Sequence, residues 1–391
     1  MSTGTGTTRG SKQLYLHIGA MKTGTSYLQG VLAANAGTLR EAGVLVAPNR
    51  SAPVHDVVNF TARGKAHLRS VRGAWAGLVD MARSFEGRGT VLSHEFLSLQ
   101  GPVTVDRLLA SLDGLDVHVV LTVRDAAAVL PAQWQTAARN RGTLTWPEYA
   151  AAARDEATKP RSHTFLHSQR IGKMIRIWRN RVGIENLHVV TVPRPGAPRD
   201  ELWNRFAGVL GVDPAAAPVL EVPSNPSAGY ATAHLLCLVH REAARAGLPG
   251  SESQRLAVFI AHEAASRRAE EPTPPLDLPT LEFSAAWNRE MIRVIDRSKV
   301  AVVGDLKDLP RKAQDSAARP LDPPDDDAVV AAAHGAASSL AILAPGGRSA
   351  APWTTVDGAV AGLVELMATV VDAGGTDRLN ARGTALRDDQ Q

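Results

Sequence analysis

A short apolar run, Leu14-Tyr15-Leu16-His17-Ile18, gives way to Gly19-Ala20-Met21-Lys22-Thr23-Gly24-Thr25-Ser26, and an amphipathic pattern then begins with Tyr27, Leu28, Val31, Leu32 and Leu39 at helical spacing. Strand, glycine turn and helix in that order constrain this chain more than any other stretch of it. In an α/β sheet such a turn lies at the carboxyl edge of the strands, where ligands of these folds bind, and the helix start offers N–H groups to an anion. The glycines let the backbone approach closely, Lys22 adds a mobile positive charge, and Thr23, Thr25 and Ser26 add hydroxyl donors. Glycines alone would fit a purely structural bend. A lysine among them points to an anion.

The rest of the chain supplies the sheet that such a turn needs. Val44–Val46, Thr90–Ser93, Val117–Val123 and Leu187–Val192 read as further strands, and a helix containing Met174, Ile175, Ile177 and Trp178 lies before the last of these. Near-continuous β-branched runs such as Val117–Val123 suit a parallel sheet buried on both faces. The expected fold is α/β, a parallel sheet flanked by helices. Past residue 230 the pattern is helical, over Thr232–Ala246, Glu252–Ala269 and Thr280–Ser298, and one short strand follows at Val300–Val303. The expected organisation is a flexible leader over 1–12, an α/β domain over 13–310, a Pro- and Asp-rich linker over 311–327, and an Ala-rich helical tail over 328–391.

Composition narrows the function classes. Of 391 residues, 44% are apolar, enough for a sizeable core, and 43 Lys+Arg against 39 Asp+Glu give a net charge of only +4. That balance argues against a charge-driven nucleic-acid coat or a polybasic membrane binder. Cys237 is the single cysteine, which excludes an internal disulfide and a cysteine-based zinc site and suits a reducing compartment, with the cytoplasm as the expected location. No apolar run approaches the ~20 residues of a membrane span, and the first twelve residues lack the apolar middle of a signal peptide.

A P-loop NTPase places its lysine after the second glycine of G-x-x-x-x-G-K-[ST], whereas here Lys22 precedes Gly24. The order Lys-Thr-Gly-Thr-Ser after His-Ile-Gly instead resembles the 5'-phosphosulfate loop of the sulfotransferase family, whose donor is 3'-phosphoadenosine 5'-phosphosulfate (PAPS). The resemblance implies a P-loop-type sulfotransferase fold. It also implies that Gly19, Lys22, Thr23, Gly24, Thr25 and Ser26 bind the donor's 5'-phosphate, and that Lys22 stabilises charge on the bridging oxygen. Arg124, at the end of Leu121-Thr122-Val123-Arg124-Asp125, matches the family's arginine for the 3'-phosphate, a role suited to a planar bidentate fork. The chain departs from that pattern with Ala126 where proline is usual and with Ala132 where the family's serine lies, so that Gln133 or Gln135 is left to donate. Ala286-Trp287-Asn288-Arg289-Glu290 leading to Val302-Val303-Gly304-Asp305-Leu306, and Ser224-Asn225-Pro226-Ser227, are similar to elements of bacterial sulfotransferase-like proteins. Together these cover roughly residues 14 to 310.

Transfer to a hydroxyl needs a general base within reach of the acceptor. The family's position for it falls on Leu92-Ser93-His94-Glu95, where neighbours on a strand would point opposite ways. Resemblance to bacterial members with Ser-x-Glu selects Glu95, and the eukaryotic cytosolic pattern selects His94; a packed histidine and a surface carboxylate are the plain readings. His17 is expected to be structural or a donor contact. His163 and His167 have metal-ligand spacing but no third ligand, so a solvated helix face is expected and no metal. Ser93 and Ser98 lack a hydrolase context, and Trp134, Trp146 and Trp178 are expected in the core. The acceptor is expected to be a small molecule or carbohydrate that the sequence does not name, in a pocket walled by the loops after the strands and by the segments around 54–72 and 139–167. Two other readings compete: a kinase or P-loop NTPase using Asp125 or Asp305 on magnesium, and a degenerate nucleotide binder.

Overall fold

The computed structural model describes residues 12–48, 51–59, 66–158, 164–218, 228–267, 271–344 and 352–379. The chain forms two compact units, each made of three stretches: 1–126, 166–224 and 285–312 in the first, 127–165, 225–284 and 313–391 in the second. The stretch read as a leader, up to residue 11, and Ser224–Ser227 lie outside the described residues.

The first unit is an α/β sheet. Its strands are β1 (Lys12–His17), β2 (Val44–Val46), β3 (Gly89–Ser93), β4 (Leu115–Val123), β5 (Leu187–Thr191) and β6 (Ala301–Val303). They lie in the order β2-β3-β1-β4-β5-β6, and every pairing is parallel. Leu14 stands beside Thr90 on one side and Val117 on the other. All the expected strands are present, and the α/β expectation holds.

Alternation divides the side chains between two cores. Leu14, Leu16, Val119, Leu121 and Val123 pack on one face with Trp75, Leu78, Met174, Trp178 and Ile295. Tyr15, Val91, Val120 and Val190 pack on the other with Leu28, Val31, Leu32, Trp203 and Phe206. A slip of one residue would exchange these sets, so the hydrophobic pattern fixes the register. Leu121 is fully buried, and cutting it back to alanine would cost about 2–5 kcal/mol.

The helix expected to run from Tyr27 past Leu39 is broken. α1 spans Thr25–Ala34, and a separate turn of helix covers Ala36–Glu41. Between them Asn35 turns its Nδ2 back onto the carbonyls of Val31 and Pro218, both at 3.0 Å, a side-chain bond that competes with the helix ladder.

The connection after β1 leads toward β2 at one edge, and the connection after β4 leads to β5 on the opposite side. The gap between the carboxyl ends of β1 and β4 is therefore the switch point at which open α/β sheets place ligands. β6 adds only three residues. Arg205 reinforces its attachment, donating to the Thr191 carbonyl at 2.8 Å and the Thr191 hydroxyl at 2.7 Å, and pairing with Asp308 at 2.5 Å.

The second unit is helical. Its core includes the fully buried Trp134 and Trp146, whose rings lie 5.6 Å apart, and Tyr230, 5.8 Å from Trp134. The indole nitrogens donate to the carbonyls of Leu144 at 2.9 Å and Pro275 at 2.6 Å. Cys237 is buried there, its thiol pushed up to about 12 by desolvation. Asp326–Leu340 and Val356–Asp372 form the two helices read in the tail. In the Pro- and Asp-rich stretch before them, Arg319 donates its backbone N–H to Leu276 and the Asp322 carbonyl accepts from Tyr230. Among the described residues no helix is long and apolar enough to cross a membrane.

Candidate active site

The turn after β1 is held in an unusual backbone shape. Gly19, Lys22 and Gly24 have φ of 65°, 66° and 83°. A Cβ on Gly19 would stand 3.0 Å from Thr25 Oγ1 and 3.2 Å from Glu95 Cβ, and one on Gly24 would stand 2.6 Å from Leu202 Cδ2. Both positions therefore need glycine for space as well as for conformation. Lys22 has no such excuse, and its left-handed backbone costs about 1–2 kcal/mol.

What overcomes that cost is a set of bonds to the loop carbonyls. The Ala20 carbonyl accepts from Thr23 Oγ1 at 2.6 Å, that of Met21 from Gln169 Nε2 at 2.8 Å, and that of Lys22 from Arg124 Nη1 at 3.5 Å. The loop N–H groups of Ile18 and Ala20 donate to Val120 and Thr122 of β4, both at 2.9 Å. α1 then starts at Thr25 with Gly24 as a cap that provides no side-chain acceptor. The first-turn N–H groups, which have no intrahelical acceptors, are thus left for an incoming anion.

Thr25 supplies a second sign of the same thing. It is 5% exposed, and its Oγ1 has no hydrogen-bond partner among the described residues. A buried hydroxyl without a partner costs about 1–3 kcal/mol, so its presence beside a glycine-lined turn fits a phosphate-type ligand. Thr23 differs: its hydroxyl proton points at Ala20, so what it can offer an anion is its backbone N–H. Ser26 is exposed at the helix start.

Beneath the loop lies His17, fully buried. Its Nδ1 is 2.7 Å from Ser93 Oγ and its Nε2 3.3 Å from Thr122 Oγ1, and the Phe206 ring meets it edge-on at 5.0 Å. Burial pulls its pKa down to about 3.

The two base candidates lie side by side after β3, His94 through its N–H on the His17 carbonyl at 2.9 Å and Glu95 through its Cα and Cβ against Gly19. Strand alternation does not extend to them, because β3 ends at Ser93 and a 3-10 turn runs from Glu95 to Leu99. His94 caps that turn, its Nδ1 accepting from the Phe96 N–H at 3.3 Å, and its ring packs 5.0 Å from Phe96 and 6.1 Å from His55. Glu95 is half-buried and backs onto Gly19.

Arg124 follows β4 and is half-buried, desolvation drawing its pKa down against the opposing effect of Asp125. Asp125 accepts from Asn288 Nδ2 at 2.7 Å, and Asn288 Oδ1 accepts from the Ala126 N–H at 3.0 Å. Proline could not make that second bond, which gives Ala126 a physical reason. Asn288 Nδ2 also reaches the Pro310 carbonyl at 2.9 Å, so the Trp-helix segment and the Asp-Leu ending are joined through one buried asparagine. Asp305 caps a short turn by accepting from the Lys307 N–H at 2.7 Å. Ala132, Gln133 and Gln135 belong to the second unit. There Gln135 donates to the Ala228 carbonyl at 2.8 Å, and the buried Gln133 Oε1 has no partner among the described residues.

His167 is exposed and His163 lies outside the described residues. Among the described residues no cluster of three or more His, Cys, Asp or Glu is placed to hold a metal. Sequence reasoning missed Gln169 and the role of Thr122. Nothing local marks either, since each is defined by a contact across the sheet edge.

No family model matches the chain, and no curated protein matches it. Among solved structures it is similar to a sulfotransferase from Alicyclobacillus acidocaldarius, at 18% identity and a TM-score of 0.37, over 54% of this chain and 84% of that one.

Proposed function

We propose that the chain is a sulfotransferase that uses PAPS as donor and a hydroxyl or amine of a small molecule or carbohydrate as acceptor. The observation that carries this reading is the turn itself: Lys22 ahead of Gly24, in a loop whose carbonyls are held from behind and whose buried Thr25 hydroxyl lacks a protein partner.

In this reading the N–H groups from Lys22 to Ser26, with the Thr25 and Ser26 hydroxyls, hold the 5'-phosphate, and the Arg124 fork takes the 3'-phosphate. When bound, PAPS supplies a sulfuryl group already activated by its link to phosphate. Lys22 neutralises the charge that collects on the bridging oxygen as the sulfur–oxygen bond breaks. Glu95, as carboxylate, accepts the proton that the acceptor loses while its oxygen or nitrogen forms the new bond to sulfur. The residues work by placement and charge, as in phosphoryl transfer. The cytoplasm suits a chain whose one cysteine is a buried thiol.

Calorimetric titration with adenosine 3',5'-bisphosphate, the desulfated donor, tests the reading without knowledge of the acceptor. Micromolar binding that is lost in Lys22→Ala and Arg124→Ala is expected. Binding of ATP with magnesium in its place would refute the reading and favour a kinase.

A further inference from the structure

We propose that His17 is a positioning residue that, as a neutral ring protonated on Nε2, orients a hydrogen-bond chain from Ser93 to the Ala20 carbonyl and thereby holds the anion loop in its binding shape. The inference rests on the proposed function only for the identity of the anion.

The direction of the chain follows from counting protons, starting where the donor is unambiguous. A carbonyl can only accept, so Thr23 Oγ1 donates to Ala20 O at 2.6 Å. Thr23 has then used its one proton, and its 2.5 Å contact with Thr122 Oγ1 requires Thr122 to donate. Thr122 must in turn accept across the 3.3 Å contact with His17 Nε2, which places a proton on Nε2. In a neutral ring Nδ1 is then bare and accepts from the Ser93 hydroxyl at 2.7 Å. The surroundings suit a neutral ring: the side chain is fully buried, and Ser93, Thr122 and Phe206 carry no charge.

The chain decides the shape of the loop. With Thr122 donating to it, Thr23 cannot turn its proton toward Thr122 and has only Ala20 O to bind, so that carbonyl stays drawn toward the sheet. Without the Nε2–H, Thr122 loses its own donor and the order of the chain is no longer imposed. His17 also reaches the base-bearing turn, because its backbone carbonyl accepts from the His94 N–H at 2.9 Å and its ring from Ser93. One residue thus sets the loop that would hold the donor against the turn that carries Glu95.

The experiment uses the full chain with adenosine 3',5'-bisphosphate and inorganic pyrophosphate as calorimetric probes, and nitrogen NMR of histidine-labelled protein to read the tautomer. Expected are an Nε2–H ring at pH 7, binding of both probes within about threefold of wild type in His17→Gln, which keeps a donor and an acceptor, and a loss of at least tenfold in His17→Leu. Thr122→Val, which keeps the ring and removes the link, should show the same loss and serves where His17→Leu does not fold. An Nδ1–H or charged ring, or wild-type binding in Thr122→Val or His17→Leu, overturns the inference. Wild-type protein that binds pyrophosphate and not the bisphosphate would refute the PAPS reading and leave His17 to be judged on the pyrophosphate arm. Wild-type protein that binds neither probe overturns the inference as well, since there is then no anion loop to hold.

Discussion

Replacing Thr25 with valine separates stability from affinity, because the structure gives the two effects opposite signs. The hydroxyl is 5% exposed and has no partner among the described residues. Without ligand it carries a desolvation cost of about 1–3 kcal/mol with no bond to offset it. Valine has nearly the same shape and no polar atom, so the variant should be as stable as wild type or up to ~1 kcal/mol more so. With an anion bound the sign reverses. A hydrogen bond to a charged group contributes about 1.5–3 kcal/mol, and 1.4 kcal/mol is tenfold, so affinity for the bisphosphate should fall roughly ten- to a hundredfold. Urea unfolding monitored by circular dichroism gives the first quantity and calorimetric titration the second. A variant less stable by more than 1 kcal/mol that binds as well as wild type would refute the claim that Thr25 is held for an anion.

Lys22→Ala should lower transfer at least a hundredfold; an assay of sulfuryl transfer to a phenol or sugar acceptor checks it, and near wild-type turnover would remove Lys22 from the chemistry. Arg124→Lys keeps the charge and loses the fork, so bisphosphate affinity should drop about tenfold in calorimetry, and an unchanged value would remove Arg124 from the site. Ala126→Pro deletes the N–H that Asn288 accepts from and should destabilise the protein by about 1–3 kcal/mol in urea unfolding, although proline suits the first turn of a helix. His17, held near 3 against an ordinary 6.5, stays neutral while the unfolded chain takes up a proton below pH 6.5. Its share of stability is therefore complete above about pH 6.5 and lost toward pH 3, at up to ~1.4 kcal/mol per pH unit. Urea unfolding between pH 7 and 4 should show a slope about one proton smaller in His17→Gln, and an unchanged slope would contradict the burial of a neutral ring.

The sheet was legible because its strands are self-contained signals: Val119–Val123 is a β-branched and apolar run buried from end to end, and the break at Gly19 follows from chemistry local to it. Gly19, Lys22, Gly24 and Thr25 could be singled out for the same reason. The helix break at Asn35 was not legible, since it depends on a carbonyl 183 residues away. The base position shows the limit most clearly. Strand alternation would have set His94 against Glu95 as opposite faces, whereas the strand stops one residue earlier and the turn gives each side chain its own surroundings. Gln169 escaped notice, and the role of Asn288 within its segment did too, because amides carry no periodic signature and their meaning lies in the distant groups they reach.

The late arrival of β6 has a consequence for how the protein is made. β5 leaves the ribosome roughly a hundred residues ahead of the strand that pairs with its outer edge, an interval of about 5–20 s at usual elongation rates. During it His188–Val190 presents unpaired N–H and C=O groups to whatever is nearby, and a bare strand edge is a template for another chain. Arg205, already synthesised and close to Thr191, waits for Asp308 to complete its ion pair. Weakening that pair should therefore cost more in the yield of dispersed protein from cells, where chains meet while half-made, than in the melting of the finished molecule.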